Sequence, residues 1–487
     1  MMGQTTETPQ QRQRRFDLLR APLFGPILMR PVGRRMLQIL VLLISIAMVF
    51  DGFTGSQLAP RNLATIGSWV HFRGLLILVL LVGGNFFCTA CPFMFVRDLA
   101  RRIFRPVLNW PLALRNKWLS IVLLVAFLFV YEWLDLWGSP VWTAWLIVGY
   151  FGTAIVVDSL FKHASFCKYV CPIGQFNFTA SALSPLEVSV RDPDVCASCQ
   201  TLDCIRGTRH VDDEAIVLQR GCELALFQPE KKGNMDCTFC MDCVYACPHE
   251  NVGVLTRLPG SELWNDDLRA GVGRPSRRPD LSALAAIFTF AALLNAFAMT
   301  SPVYALQEWL GGWLGVQSEW PVLGSLFLFG LAVEPAVLIG SAAYLTRRAT
   351  GDQDSLVAVG LRFAYGLVPI GVGIWAAHYS FHLLTGFWTF LPVVNAFIAP
   401  VLAVAPMDPT TVPPGLPDAF VYPVEVGLLS LGLVGSWLAS LQIATREYGA
   451  RSRAGFVPWA VLAAALWAAG LWLLSQPMEM RGTFLGG

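Results

Sequence analysis

The twelve cysteines of this 487-residue chain all lie between residues 88 and 247, and their spacing constrains the fold more than any other feature. Their densest run is Cys237-x2-Cys240-x2-Cys243-x3-Cys247, followed directly by a proline. In iron–sulfur proteins with two clusters, three thiolates of such a run hold one [4Fe–4S] cluster and the fourth reaches the other. Zinc is the alternative, because paired C-x2-C motifs also bind it. The close spacing and the final Cys-Pro favour iron–sulfur clusters.

A second set of cysteines lies just upstream, as Cys196-x2-Cys199-x4-Cys204 and, after an insertion, Cys222. The two sets together predict a two-cluster, ferredoxin-like domain with crossed ligation. We therefore expect two [4Fe–4S] clusters. Group 1 would hold one of them with Cys196, Cys199, Cys204 and Cys247, and group 2 would hold the other with Cys222, Cys237, Cys240 and Cys243.

The composition indicates a membrane protein. The mean hydropathy is +0.54 and only 14% of the residues are charged, against about 25% in soluble proteins. We predict an all-α polytopic membrane protein with an inserted ferredoxin-like domain, embedded in a lipid bilayer. No basic, aromatic-interleaved stretch indicates nucleic acid. Apolar runs at or near the spanning length predict nine transmembrane helices, which begin at about residues 36, 66, 118, 141, 281, 321, 358, 422 and 456.

The arginines predict the orientation of these helices. Arg12 and Arg14 belong to a basic N-terminal segment, and every second loop after it is rich in arginine. The alternate loops, within residues 301–320 and 386–421, contain no lysine or arginine. Because positive charge stays on the cytoplasmic side, we expect a bacterial cytoplasmic (inner) membrane protein with a cytoplasmic N-terminus and an external C-terminus. The apolar stretch 388–405 should then not cross.

Four regions follow from this topology. The hydrophilic region should be cytoplasmic, in a reducing compartment that keeps thiols free for metal. We expect a basic N-terminal segment (1–35), four membrane helices (36–166), the cytoplasmic ferredoxin-like domain with its linker (167–280), and five membrane helices (281–487).

Two further cysteine pairs are expected at the cytoplasmic ends of helices two and four. They are Cys88-x2-Cys91 and Cys167-x3-Cys171, and each is followed by a proline. We call these four residues group 3. Four thiolates at one membrane face predict either a third [4Fe–4S] cluster or a single iron in a tetrahedral site. The alternative is that they are free thiols at helix ends.

The motifs CTACPFMFVRD and FCKYVCPIGQFNF, followed by the two-cluster segment, are characteristic in combination. With them the chain resembles the membrane polyferredoxins typified by NapH, NosR and CcoG, over about residues 66–256. The resemblance implies an electron-transfer component of a respiratory or redox-supply pathway. The later helices are similar in arrangement to transmembrane ferredoxins that work beside small c-type cytochromes, which implies a c-type cytochrome as an external partner.

The second half of the chain lacks cysteine but contains other candidate residues. His378 and His382 lie one turn apart on one helix, and His71 should lie at a similar depth in the outer leaflet. The three histidines predict a quinol site or a haem b site, or simply interfacial hydrogen bonding. Arg73 would face headgroups, a quinone or a haem carboxylate. Glu334, within the sixth helix, is the candidate for a proton path, with a packing kink at the following proline as the alternative.

The favoured function is an electron-transfer subunit that links a cytoplasmic donor or acceptor, the quinone pool and an external cytochrome or reductase. Such a subunit would belong to an oxidoreductase complex. The hydrocarbon core is about 30 Å thick, so a redox-active histidine site would need an intermediate carrier. One alternative is a redox assembly or maturation factor for a metalloenzyme. A less favoured alternative is a redox-regulated transporter.

Overall fold

The computed structural model describes residues 15–22, 24–210, 217–408 and 411–478. Arg12, Arg14 and the C-terminal residues 479–487, which figure in the expected orientation, lie outside this part. The described chain is mostly helical, as the composition predicts, and its only sheets are two small antiparallel ribbons in the cysteine-rich region.

The first half of the chain forms helices that begin at prolines or after polar caps. Proline is favoured at the first helical position because its missing N–H is not needed there. Two π-helical segments, Ile66–Phe72 and Phe166–Val170, directly precede α2 and the second Cys-Pro motif. The helices are α1 (Pro31–Thr54), α2 (Arg73–Gly83), α3 (Pro92–Ile103), α4 (Trp118–Trp133), α5 (Pro140–Leu160) and α6 (Pro172–Ala180).

The cysteine-rich region has an internal two-fold pattern. Strand β1 (Leu186–Val190) pairs antiparallel with β4 (Val252–Thr256), and the shorter β2 (Thr208–Arg209) pairs with β3 (Val217–Gln219). Two one-turn helices, α7 (Asp203–Arg206) and α8 (Asp242–Ala246), pack against each other. Each helix follows a residue in the left-handed conformation, Leu202 or Met241, and each contains one cysteine.

The second half is a bundle around one central helix. Almost every residue of α14 is buried, whereas its neighbours expose one side. The helices are α9 (Pro279–Phe297), α10 (Ser301–Leu314), α11 (Glu319–Leu328), α12 (Glu334–Thr350), α13 (Leu356–Phe363), α14 (Val368–Thr385), α15 (Phe390–Leu402), α16 (Asp418–Tyr448) and α17 (Ser452–Leu474).

Gly373 of α14 and Gly432 of α16 lie at the point where these two helices approach closely. A Cβ at Gly432 would lie 2.8 Å from the carbonyl oxygen of Pro369 and 3.0 Å from the Cα of Gly373. Such contacts are shorter than any side chain tolerates, so the crossing requires glycine at this position. Close backbone approach at small residues is the usual way in which membrane helices pack. Gly427, one and a half turns earlier on α16, has open space around it.

Seven stretches of the described residues are long and apolar enough to cross a membrane. The last one contains both α16 and α17, which run antiparallel: Trp467 Nε1 donates to Ser430 Oγ, and Trp437 Nε1 donates to the Ala460 carbonyl. Two further apolar stretches, Trp118–Trp133 and Phe387–Leu402, are shorter than these seven. The seven are Pro31–Thr54, Leu63–Gly83, Pro140–Leu160, Pro279–Phe297, Glu319–Thr350, Leu356–Thr385 and Ala419–Leu474.

The stretch expected not to cross contains α15. Its 13 residues span about 20 Å at 1.5 Å per residue, well short of a hydrocarbon core. Phe397 of α15 contacts Phe50 near the end of α1. The topology argued from the arginines, in which this stretch does not cross, stays a prediction.

The N-terminal segment is joined to the cysteine-rich region. Arg15 Nε donates to the Thr256 carbonyl at 2.6 Å, and its Nη2 pairs with Glu187 at 2.6 Å. Asp17 forms an isolated bridge with Leu255 of β4. The β1–β4 ribbon is therefore extended on one edge by residues that precede the first membrane helix.

Candidate redox sites

The four cysteines of group 1 line one pocket, which also contains Phe227, Pro248 and Val252. Burial raises the pKa of the Cys204 thiol to about 11, and the nearby charges of Cys196, Cys247 and Cys199 act in the same direction. None of these four side chains is fully buried. Group 1 is therefore a convergent set of thiols next to the surface of the cysteine-rich region.

Asn251 holds two sulfurs of group 1. Its Nδ2 donates to Cys196 Sγ at 3.3 Å and its backbone N–H donates to Cys247 Sγ at 3.3 Å. The residue thus joins a cysteine from each half of the two-fold pattern. Hydrogen bonds to cluster sulfurs are one means by which a protein sets a reduction potential.

Group 2 is deeper. Burial raises the pKa of Cys243 well above its usual value, and the charges of Cys222, Cys240 and Cys237 add to this. The backbone N–H of Cys222 donates to the Cys204 carbonyl at 2.9 Å, so group 2 directly adjoins group 1.

The loop that carries group 2 has an unusual backbone. Asp236, Phe239 and Met241 all have positive φ, between 49° and 63°. Non-glycine residues rarely adopt this conformation. Left-handed residues occur in the concave backbone turns that bind anions, including iron–sulfur clusters.

Arg34 supplies a cation to group 2 from the first turn of α1. Its Nη1 donates to the Cys240 carbonyl and pairs with Asp242 Oδ1 at 2.7 Å. Both side chains are almost fully buried. Lys231 and Lys168 also lie close enough to affect cysteines of group 2 electrostatically. Cations and carboxylates therefore both lie near the thiols of group 2.

Group 3 is assembled from two separate parts of the chain. Burial raises the pKa of Cys88 well above its usual value, and the charges of Cys91, Cys171 and Cys237 add to this effect. Burial likewise raises the pKa of Cys167, whose other neighbours include Cys171 and Cys91. The structure thus brings all four predicted cysteines together. It also places Cys88 beside Cys237 of group 2.

Further contacts hold group 3 in this arrangement. Asn177 Nδ2 donates to Cys88 Sγ at 3.6 Å, and the Gly174 N–H donates to Cys171 Sγ at 3.2 Å. Asn85 Nδ2 donates to the Cys237 carbonyl at 2.9 Å, and Thr89 Oγ1 donates to the Phe239 carbonyl at 2.6 Å. Groups 2 and 3 are therefore joined by hydrogen bonds across the membrane face.

A buried ion network lies beside group 3. Arg97 is 1% exposed, and its guanidinium contacts Asp98 at 2.9 Å, Asp158 at 3.6 Å and Glu223 at 3.2 Å. Burial raises the pKa of Glu223, but the charges of Arg97, Arg220 and Arg101 together outweigh this effect, so the net pKa lies below its usual value. Because Glu223 follows Cys222 directly, the network connects the loop of group 2 to α3 and α5.

A second buried carboxylate stabilises the cysteine-rich region. Glu262 accepts the backbone N–H of Asn234 at 2.9 Å and contacts Arg257 at 2.9 Å and Arg269 at 3.5 Å. Burial raises the pKa of Glu262. Arg257, Arg269 and the hydrogen bond from Asn234 together lower it by more, so the net pKa lies below the usual value.

The three groups can be tested against the metal centres that the sequence predicts. A single tetrahedral ion with bonds of about 2.3 Å would require sulfurs about 3.8 Å apart. Among the described residues, no set of three or more Cys, His, Asp or Glu side chains is arranged for one ion. Four converging thiols with cations nearby fit a [4Fe–4S] cluster. The ligand assignments themselves stay predictions.

The three membrane histidines lie in two environments. His71 Nε2 is 3.0 Å from the Phe387 carbonyl and its Nδ1 is 3.2 Å from the Ile66 carbonyl. His378 and His382 lie 3.3 Å apart between their Nε2 atoms, and each contacts the sulfur of Met299. The pair is fully buried, and the sequence argument did not include Met299.

Arg73 lies within an aromatic cage. Its guanidinium carbon is 5.2 Å from the ring centres of Trp69 and Tyr131 and 4.9 Å from that of Tyr379. Its Nε donates to the Trp69 carbonyl at 3.0 Å. The guanidinium is therefore held by ring faces in the interior of the bundle, where cation–π contacts are strongest.

Aromatic rings connect group 3 with the histidine pair. Phe176 lies five residues after Cys171 on α6, and its ring centre is 5.3 Å from that of Trp375. Trp375 and Tyr379 are 5.0 Å apart, and Tyr379 and His378 are 5.5 Å apart. No sequence pattern reveals this row of rings, because it is formed by two helices distant along the chain.

Glu334 is half-buried at the first position of α12, directly after a π-helical segment, Phe329–Val333. A π-helical turn is frequent at functional sites, although Pro335 also follows at once and explains a local change in the helix. The proton-path hypothesis for Glu334 stays a prediction.

In its apolar helices and cysteine-rich segment, the chain is distantly similar to ferredoxin-type electron-transport membrane proteins. The chain is 26% identical to the ferredoxin-type protein NapH of Escherichia coli (strain K12) over 217 residues, which are 41% of this chain and 70% of NapH. It is also 28% identical over 96 residues to YccM of the same organism, a protein named for electron transport. That match spans 20% of this chain and 23% of YccM. No family model matches the chain, and no solved structure does.

Proposed function

We propose that the protein is an iron–sulfur electron-transfer subunit that exchanges electrons between a cytoplasmic partner and the membrane. In this proposal, groups 1, 2 and 3 each hold a [4Fe–4S] cluster. The observation that carries it is their order: partly exposed group 1 adjoins group 2 through the Cys222–Cys204 hydrogen bond. The loop of group 2 in turn accepts hydrogen bonds at the Cys237 and Phe239 carbonyls from Asn85 and Thr89, which flank Cys88 of group 3. Electrons would pass from the surface to the membrane face.

The proposed topology has nine spans, with groups 1 to 3 at the cytoplasmic face of a bacterial inner membrane. Two helices within residues 419–474 and the short α4 support this number. Residues 1–35 and 167–280 would form the cytoplasmic part, and residues 36–166 and 281–487 would form the two membrane parts. The C-terminus would be external.

Beyond group 3, the proposed route leads toward the quinone pool or an external c-type cytochrome or reductase. The rings of Phe176, Trp375 and Tyr379 support a path into the bundle. In the first version of this route, a quinone binds near His71, Arg73 or the histidine pair, and Glu334 transfers protons. In the second version, the histidines hold a haem b, but the contacts of His71 with backbone carbonyls do not favour it.

Anaerobic purification with iron and acid-labile sulfide counts tests the number of clusters. Twelve iron atoms per chain would support three clusters. Nine would indicate a single iron at group 3, and eight would mean that group 3 holds no iron and the proposed route is broken.

Matched cysteine variants then test the order of the groups. We expect Cys171→Ser to abolish reduction of groups 1 and 2 by a quinol, while a soluble low-potential reductant still reduces them. In Cys199→Ser, which alters group 1 instead, group 3 should still respond to quinol. Unchanged quinol-dependent reduction in Cys171→Ser would contradict the proposed route.

A further inference from the structure

We propose that His378, His382 and Met299 form a binding site for monovalent copper within the membrane domain. The two histidines lie one turn apart near the end of α14, and Met299 lies two residues after α9. The exposed fraction is 0% for His378, 2% for His382 and 1% for Met299. The site is independent of the cysteine groups and does not depend on the function proposed above.

The three atoms form a nearly regular triangle. Met299 Sδ is 3.0 Å from His378 Nε2 and 3.3 Å from His382 Nε2, and the two nitrogens are 3.3 Å apart. The point equidistant from all three lies about 1.9 Å from each, slightly inside the ~2.0 Å for nitrogen and ~2.3 Å for sulfur typical of protein metal sites. An expansion of a few tenths of an ångström would admit an ion.

Hydrogen bonds alone do not satisfy this triangle. Each of the three contacts would need its own proton, but each nitrogen carries at most one and a thioether sulfur carries none. At most two of the three contacts can therefore be hydrogen bonds, and the third brings two electron-rich atoms together. A cation at the centre interacts favourably with all three atoms.

The ligand set selects the ion. Thioether sulfur is a soft ligand that favours Cu(I), and imidazole also binds copper well. Zinc sites use thiolate, imidazole and carboxylate ligands rather than thioether. As metal ligands, imidazole and thioether bring no negative charge, and all three side chains are almost fully buried, so a monovalent ion costs less to bury here than a divalent one. Two nitrogens and one thioether in a buried site therefore match Cu(I).

An acidic cavity adjoins the segment that carries Met299. It is lined by Glu132, Asp135 and Glu319, together with Ala298, the residue directly before Met299. Because carboxylates raise the local concentration of cations, this cavity would favour cations close to the proposed site.

The assignment changes how the histidines are interpreted. With Nε2 of both rings directed at a metal, these atoms are not available to a quinone oxygen. A quinone would then rest on His71 and Arg73 alone. Copper at this position would also lie at the end of the aromatic row that begins at Phe176.

Anaerobic titration of the detergent-solubilised, cluster-loaded protein with Cu(I), in competition with a chromophoric Cu(I) chelator, tests the site. We expect one Cu(I) per chain whose affinity falls at least tenfold in Met299→Leu and in His382→Asn. Met48→Leu and His163→Asn remove a thioether and an imidazole elsewhere and should bind as the unaltered protein does. Iron and sulfide are counted before and after, so that copper taken up by displaced clusters is recognised.

X-ray absorption provides a readout that a purely structural role would not produce. In selenomethionine protein we expect a copper–selenium distance in the Cu(I)-loaded sample, and its loss in Met299→Leu. Equal copper affinity in Met299→Leu, His382→Asn and the unaltered protein would overturn the proposal. So would a copper environment that contains only thiolate sulfur.

Discussion

The charge of Arg34 should set the reduction potential of the cluster proposed at group 2. Its guanidinium donates to the carbonyl of Cys240, so we take about 7 Å between the charge and the cluster. With an effective dielectric constant of about 20, the interaction is about 2.4 kcal/mol, which corresponds to about 100 mV for one electron. Because the reduced cluster is more negative, we expect Arg34→Gln to lower the potential by up to about this amount.

Potentiometric titration followed by electron paramagnetic resonance measures the shift. Asp242 pairs with Arg34 at 2.7 Å, so Asp242→Asn should raise the potential. The double variant Arg34→Gln/Asp242→Asn should return to within about 30 mV of the original, since both charges are removed. Arg34→Lys keeps the charge, loses only the fork geometry, and serves as the control.

Iron counts in each variant exclude loss of a cluster as the cause. An unchanged potential in Arg34→Gln with full iron content would refute the argument. An equal shift in Arg34→Lys would also refute it, because charge would then not be the cause.

Three further predictions concern other parts of the fold. The folded pKa of Glu262 lies below its unfolded value of about 4.3, so its stabilisation is present above that pH and fades as the pH falls through the folded pKa. Glu262→Gln should therefore cost about 3–5 kcal/mol at pH 7 and weaken the acid dependence, measured by hydrogen exchange of β1 and β4. Asn251→Ala removes a hydrogen bond to Cys196 Sγ and should lower the potential of group 1 by about 30–60 mV, part of the ~1.5–3 kcal/mol of such a bond. Gly432→Val should lower the melting temperature in detergent, whereas Gly427→Val, which meets open space, should not; equal melting temperatures would contradict the packing argument.

The sequence predicts local features of this protein better than tertiary ones. The spacing within groups 1 and 2 could be interpreted from short-range geometry, because two or three intervening residues restrict where thiols can point. The apolar runs indicate a membrane protein, since about 20 apolar residues suit a bilayer. The number of membrane spans differs between the two: the sequence predicts nine, and seven stretches of the described residues are long enough to cross. The difference arises because α4 is short and because one apolar stretch of 56 residues contains a helical hairpin.

The sequence does not reveal residues whose role depends on tertiary contacts. In the sequence, nothing distinguishes Arg34 from the other arginines of the basic N-terminal segment, yet it contacts Cys240 and Asp242, which lie 206 and 208 residues away. Met299 has no signal in the sequence, because a methionine at the end of an apolar stretch usually belongs to the core. His71, His378 and His382 were grouped by depth, but depth does not determine which helices face each other. Their two environments depend on how α2, α9 and α14 pack.

The pairing of Arg15 and Asp17 with β4 has a consequence for biogenesis. The ribbon of the cysteine-rich region is completed by residues that leave the ribosome about 240 residues before their partners. The loop of group 2 likewise depends on Arg34, Asn85 and Thr89. A fragment containing only residues 167–280 would therefore lack one edge of its β1–β4 ribbon and the side chains that contact the loop of group 2. Maturation should follow a fixed order, in which the early helices enter the bilayer first and iron and sulfide are inserted afterwards.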